Sequence, residues 1–235
     1  MVERIKSGLA RRLASLARNL SPPEKAPDHV RSDEEKAALR AWREARGDQT
    51  LRVDYPLTAD ERVVDVGGYE GQWASDIHAR YRCPVEIFEP MSEFAAAIRR
   101  RFAANPALRV HPFGLGAVDH ITHLSVAADA SSVHRGEKDA GQQIEIRAAA
   151  GVFASLGFTE IALLKVNIEG EEYDLLDHLI ATGWIRAVRD LQVQFHSFVP
   201  DAVARRAALR QRLTATHRLT YDFPFVWENW RRLSA

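Results

Sequence analysis

Cysteine is almost missing from this 235-residue chain: Cys83 is the only one. A lone cysteine excludes an internal disulfide and a cysteine-built zinc cluster, and it suits a reducing compartment. Lying just ahead of Val85, it reads as a small buried residue near a strand start. An excess of one charge is missing as well. The 32 basic residues face 32 acidic ones, so no global field draws the chain to nucleic acid. No apolar run approaches the roughly 20 residues that cross a bilayer. No signal-peptide pattern opens the chain, so a cytoplasmic protein is expected. Internal repeats and low-complexity tracts are absent too. What remains is an ordinary soluble balance, 46% hydrophobic and 27% charged, in a chain long enough for one sizeable α/β domain.

The first fifty residues differ from the rest. Ile5, Leu9, Leu13, Leu16 and Leu20 recur at helical spacing and form an apolar stripe, with Arg4, Lys6, Arg11, Arg12 and Arg18 around it. Such a helix either lies on an anionic membrane surface or packs on the domain or on a second copy of the chain. Ser21-Pro22-Pro23 ends it, and a polar linker follows. A charged helix is expected from Asp33 to Arg46, with Ser32 as N-cap and Gly47 as stop. Residues 1–50 are thus expected to be an N-terminal helical extension and 51–235 the main domain.

Strands are expected near 62–67, 85–89, 109–114, 121–127, 143–148, 161–168 and 189–196, and helices near 71–81, 91–104, 150–156, 171–182 and 201–214. Alternation of this kind argues for a mostly parallel sheet with helices on both faces. Residues 217–233 read as two strands with no helix between them, an antiparallel hairpin at the sheet edge.

Two strand ends carry the ligand chemistry. Val63-Val64-Asp65-Val66-Gly67-Gly68-Tyr69-Glu70-Gly71 is a buried strand running into a glycine-rich turn, and Val85-Glu86-Ile87-Phe88-Glu89-Pro90 is a strand ending in a carboxylate. Together they describe a nucleoside pocket: a tight backbone bend, then an acid one strand over for ribose hydroxyls. Dinucleotide sites show G-x-G-x-x-G, which brings backbone N–H groups to a pyrophosphate. Here the pattern is D-x-G-x-x-x-G. Asp65 would repel a pyrophosphate and suits a cationic ligand with a free amino group, as in S-adenosyl-L-methionine. Gly67 and Gly71 would let the backbone approach that ligand and the helix start close to the strand. Tyr69 would wall the pocket, and Glu89 would hold both ribose hydroxyls. Gly116, in the Gly114–Asp119 loop, would lie near the adenine; a plain turn is the alternative.

With Gly114-Leu115-Gly116-Ala117-Val118-Asp119 and Leu164-Lys165-Val166-Asn167-Ile168-Glu169-Gly170-Glu171-Glu172 added, the chain resembles the FkbM family of S-adenosylmethionine-dependent methyltransferases over about residues 60 to 200. Gln194-Phe195-His196 is a further, weaker piece. The chain carries Asn167 where that family usually has aspartate, and Gln194 where an acid is common. The resemblance implies a Rossmann-like class I methyltransferase fold with a seven-stranded sheet. It also implies S-adenosylmethionine as methyl donor and a small-molecule, sugar or glycan hydroxyl as acceptor.

Methyl transfer needs alignment, and a hydroxyl acceptor needs a base. Lys165, Glu169 and His196 are the catalytic candidates, and Asn167 joins the cofactor set. His196 titrates in a suitable range, although a core-bonded histidine is the alternative. His134 lies in a polar loop that could cover an acceptor. Glu171 and Glu172 also suit a helix start. Oxygen ligands near Asn167 would tolerate magnesium, but no metal is expected. Phe223 to Trp230 is either an aromatic acceptor wall or edge packing. The fourth strand lacks the Asn/Asp-Pro-Pro-Tyr/Phe run of many nitrogen-methylating enzymes, which favours oxygen. Two alternatives stay open: an NAD-dependent oxidoreductase, and a non-catalytic membrane- or partner-binding module on a methyltransferase scaffold.

Overall fold

A computed structural model of the chain describes residues 31–124 and 142–234. The basic stripe of the first twenty residues and the loop around His134 lie outside the described residues. Helix α1 (Asp33–Glu44) begins where expected. Ser32 accepts from the Glu35 backbone N–H while the Glu35 carboxylate accepts from that of Ser32, a reciprocal capping box. The helix ends at its cap Ala45, and Gly47 lies against Trp42, where a Cβ would come within 2.3 Å of the indole ring. Trp42 is buried and meets Phe223 edge-on at 5.1 Å. The compact unit therefore begins at Arg31, and the boundary expected near residue 50 falls inside it.

Strands and helices then alternate: β1 (Val63–Val66), α2 (Gln72–Tyr81), β2 (Val85–Phe88), α3 (Ser92–Arg101), β3 (Leu108–His111), β4 (Gly114–Gly116), β5 (His120–Leu124), β6 (Gln142–Ala148), α4 (Ala149–Ser155), β7 (Ile161–Val166), α5 (Glu172–Thr182), β8 (Val188–Val193), α6 (Ala202–Leu213), β9 (His217–Phe223) and β10 (Trp227–Arg232). Seven of the strands form one sheet in the order β3-β2-β1-β7-β8-β10-β9. The first five run parallel, and β10 is antiparallel to both its neighbours. This is the expected Rossmann-like α/β sheet with its edge hairpin. β1, β2 and β7 are buried along their whole length, as parallel strands covered on both faces must be.

In-register strands send aligned residues to one face. Val64, Val66, Phe88, Leu164, Val166 and Leu191 pack on Phe153, Tyr173, Leu176 and Leu209 of α4, α5 and α6. Val63, Val85, Ile87 and Leu163 pack on Trp73, Ala74 and Ile77 of α2 and on Ile98 of α3. Among the described residues, no helix is long and apolar enough to cross a membrane. Cys83 is buried as expected, and burial pushes its thiol up to about 11.

One strand departs from expectation. The stretch 109–114 is not a single strand: β3 stops at His111, and β4 belongs to a separate three-stranded sheet in the order β4-β6-β5. Pro112 supplies no N–H to continue the ladder, and the chain turns out of the main sheet there. Gly114 and Gly116 serve the second sheet. A Cβ on either would come within 2.6 Å of the Ile146 side chain of β6. The expected Gly114–Asp119 loop is thus a strand over its first half.

At the β2–β3 edge, Glu86 is buried and bonds both Arg109 and His111. Burial pushes its carboxyl up, but the hydrogen bonds and charges of His111 and Arg109 outweigh this and hold it below the usual carboxylate value of 4.5. A depressed folded-state value contributes stability above the unfolded value and loses it as pH falls through the folded one. Glu86→Gln should melt several degrees below wild type at pH 7, with the gap closing below about pH 4. A gap that stays constant with pH in thermal scans would show that charge is not what Glu86 contributes.

Candidate active site

The sheet order reverses at β1, which lies between β2 and β7. In open α/β sheets such a switch point opens a crevice at the strand carboxyl ends. Here the crevice is built from the turns after β1, β2 and β7. After β1 the backbone passes through Gly67 at φ +87°. A Cβ there would lie 1.9 Å from the Asn167 carbonyl oxygen, so the turn after β7 leaves room only for glycine. Asn167 N–H donates to Val66 O at 3.0 Å, which closes the two turns on each other. Gly71, at φ +74°, caps α2, and a Cβ on it would come 2.9 Å from Phe102.

Under these turns lies a buried ion pair. Asp65 and Lys165 are register partners on β1 and β7. Lys165 Nζ donates to Asp65 Oδ1 at 2.9 Å and to Gly67 O at 2.6 Å. Burial pushes the Asp65 carboxyl above its usual range, against the pull of Lys165 and Arg52. Its Oδ2 is buried without a partner among the described residues.

Glu89, beyond β2, accepts the Tyr69 N–H at 2.7 Å and the Met91 N–H at 2.9 Å. Burial raises its carboxyl, and those two backbone donors partly offset the rise. Tyr69 has φ +49° and sets its ring against Phe94, centroids 4.7 Å apart. Beyond β7, Glu169 has φ +52° and Gly170 φ +107°. Glu172, fully buried at the start of α5, accepts the Gly170 N–H at 2.8 Å, the His196 N–H at 2.7 Å and His196 Nδ1 at 3.1 Å. His196 Nε2 lies 3.6 Å from Glu169 Oε1. A bulky residue in the left-handed region costs about 1–2 kcal/mol, so Tyr69 and Glu169 mark backbone held against its preference.

These turns bound a cavity of about 470 Å³, within the range of small-molecule sites. Its main-sheet side is Gly67, Tyr69, Phe88, Glu89, Asn167, Ile168, Glu169 and Glu171; its other side is Met91, Phe94 and the small sheet, including His120, Thr122, Leu124, Ile144 and Ile146. Asn167 Oδ1 is buried with no hydrogen-bond partner among the described residues. Among the described residues, no cluster of three or more His, Cys, Asp or Glu could hold a metal ion.

The methyltransferase FkbM domain matches residues 65–223. The chain belongs to the FkbM methyltransferase family. No curated protein sequence matches it. Among solved structures, it is similar to the N-methyltransferase NodS from Bradyrhizobium japonicum WM9, with 10% identity, TM-score 0.44, and 83% of this chain and 98% of that chain covered. It is also similar to geranyl diphosphate methyltransferase in complex with GPP and sinefungin, with 11% identity, TM-score 0.45, and coverage of 88% and 87%. A further match is the fibrillarin/Nop5p complex, with 12% identity, TM-score 0.48, and 92% of each chain covered.

For this FkbM-family chain, the expected site residues divide in two. Gly67, Tyr69, Glu89, Asn167 and Glu169 share the cavity wall. Asp65 and Lys165 lie beneath it, bonded to each other. Lys165 therefore holds the turn, because its ammonium is taken up by Asp65 and the Gly67 carbonyl. Gly71 starts α2, and Gly116 faces Ile146 in β4. His196 sits behind Glu169, outside the cavity lining. The aromatic tail is edge packing: Trp227 and Trp230 are buried, and no residue from 223 to 230 lines the cavity. His120, Thr122, Leu124, Met91 and Phe94 were not expected there. The run His120-Ile121-Thr122-His123-Leu124 has no apolar/polar alternation to signal a cavity face, and its Ile121 is exposed.

Two variants probe the foundation. Lys165→Met should cost about 3–5 kcal/mol in urea unfolding, because it strands a buried carboxylate, and Asp65→Leu/Lys165→Met should recover most of the loss. A single variant as stable as wild type would remove the pair from the argument. Gly67→Ala should lose at least ~2 kcal/mol through strain. Gly151→Ala, in helix α4 with open space around it, should gain about 0.5–1 kcal/mol. Equal melting temperatures for the two alanine variants would contradict the fit of Gly67 against Asn167.

Proposed function

We propose that this FkbM-family methyltransferase uses S-adenosylmethionine and delivers its methyl group to a hydroxyl oxygen of a small molecule, sugar or glycan. The observation carrying the cofactor is the charge of the cavity wall. Its described residues include the carboxylates of Glu89, Glu169 and Glu171 and no lysine or arginine. That sign suits a cationic ligand and opposes the pyrophosphate of a dinucleotide. The residues present fit the donor. Glu89 spends one lone pair on each backbone N–H and keeps capacity for two ribose hydroxyls. Asn167 Oδ1, buried and unpartnered, is an acceptor waiting for a donor such as an ammonium group. Met91 and Phe94 offer apolar surface to a flat base.

Bound S-adenosylmethionine supplies a methyl group on positively charged sulfur, which needs no covalent enzyme intermediate. The chain's own residues then align and exclude. Lys165 and Asp65 fix the glycine turn. Glu172 fixes His196, and His196 in turn braces Glu169 at the wall. His196 is thus a positioning residue in this scheme. Oxygen is favoured as acceptor because Val166-Asn167-Ile168-Glu169 stands where many nitrogen-methylating enzymes carry Asn/Asp-Pro-Pro-Tyr/Phe.

Calorimetric titration with S-adenosylmethionine, S-adenosylhomocysteine and NAD tests the cofactor. Micromolar binding of the first two and none of NAD is expected; binding of NAD alone would overturn the proposal. Glu89→Ala should weaken S-adenosylhomocysteine binding by about 1–3 kcal/mol. Unchanged affinity in the folded variant would place the ribose elsewhere.

A further inference from the structure

The geometry points to His120 as the group that takes the proton from the acceptor hydroxyl. This rests on the proposed transfer to oxygen. His120 opens β5 of the small sheet and lines the same cavity as Asn167 and Glu169. It therefore stands on the wall that faces the cofactor-binding turns, with Thr122 and Leu124 on the same face of the strand.

Its ring is prepared for the task. Nδ1 lies 3.1 Å from the Val118 carbonyl oxygen. A carbonyl only accepts, so Nδ1 carries the hydrogen and the neutral ring keeps its lone pair on Nε2. Nε2 has no hydrogen-bond partner among the described residues. The charged groups around it are mostly acidic. Glu171 and Glu169 come from the turn after β7, and the Glu171 carboxyl feels the His120 charge. Asp119 precedes His120, and its Oδ1 is held by the Ala148 N–H at 2.7 Å. His123, farther along β5, Glu89 and Tyr69 are the other titratable groups lining the cavity, and β6 carries the paired Glu145 and Arg147 on either side of Ile146, the register partner of His120. An imidazolium formed during the reaction shares the cavity with the Glu169 and Glu171 carboxylates. His196 also turns its Nδ1 to an acceptor, Glu172, but its Nε2 lies against Glu169 and the ring is outside the cavity lining.

The step balances with the sulfonium donor as co-reactant. The acceptor O–H bond gives its proton to His120 Nε2. The oxygen electron pair forms the new O–C bond to the methyl carbon. The C–S bond breaks, and its pair stays on sulfur as a neutral thioether. His120 is only half-buried, so the imidazolium returns its proton to solvent.

Two measurements test this. The first needs no acceptor: nitrogen-15 histidine spectra of the full chain saturated with S-adenosylhomocysteine should show His120 protonated at Nδ1 in its neutral form. Protonation at Nε2 overturns the proposal, because no lone pair would then face the cavity. The second follows labelled methyl transfer from S-adenosylmethionine to a panel of phenols and hexose glycosides across pH. His120→Asn should lower kcat/KM at least ~100-fold, the usual range for a lost general base, and should remove the acidic limb of the pH profile. Its S-adenosylhomocysteine affinity should stay within about twofold of wild type, since the role concerns the proton alone. A wild type active on oxygen with an equally active His120→Asn overturns His120 and leaves the O-methylation proposal standing. Affinity that falls in step with activity makes His120 a binding residue and also overturns the base role. A wild type that methylates nitrogen acceptors and no hydroxyl overturns the O-methylation proposal and the base with it.

Discussion

The ammonium group of Lys165 is the point on which the site depends. It joins the Asp65 carboxylate to the Gly67 carbonyl, so one side chain of β7 holds both the end of β1 and the turn beyond it. With the turn fixed, Gly67 and Asn167 approach so closely that a Cβ has no room. The cavity rim is set by that contact. The same pairing changes the electrostatics: the Asp65 charge is matched inside the sheet and does not project into the cavity. The carboxylates lining the cavity are instead those of Glu89, Glu169 and Glu171.

Glu89 and Glu172 solve one problem in two places. Each is a buried carboxylate that collects backbone N–H groups from irregular turns. Such donors are costly to leave unpaired in the interior, and neither turn has a neighbouring strand to accept them. Each carboxylate also stands next to a strained residue, Tyr69 in one case and Glu169 in the other. The acids thus hold in place the backbone that shapes the cavity, and one of them also faces it.

Much of this was legible in the sequence because the informative pieces are local. A buried strand followed by glycine, or by an acid and proline, shows in consecutive residues, and the three main-sheet turns lie where those pieces placed them. What was not legible depends on pairing between distant segments. Lys165 can be read as a catalytic cation or as a buried tether. The register Asp65↔Lys165 decides between them, and no spacing within either strand reveals it. The small sheet is a similar case. Gly114-Leu115-Gly116 looks like a loop until β6 lies beside it, because the absent side chains make room for Ile146. His120 stayed hidden for the same reason: its strand has a cavity face only once β5 and β6 are paired.

The two ends of the compact unit close on each other. Trp42 of α1 packs on Phe223 and Tyr221 of β9. Tyr55 donates to Asn229 of β10, Gln192 of β8 donates to Tyr55 and Tyr221, and the Arg52 guanidinium lies over Trp227. Chain ends are usually where a fold frays first. Here peeling the last hairpin would uncover Trp42, and peeling α1 would uncover the hairpin's aromatic face. Loosening either segment exposes aromatic surface of the other, so on this side of the sheet α1 and the hairpin steady each other.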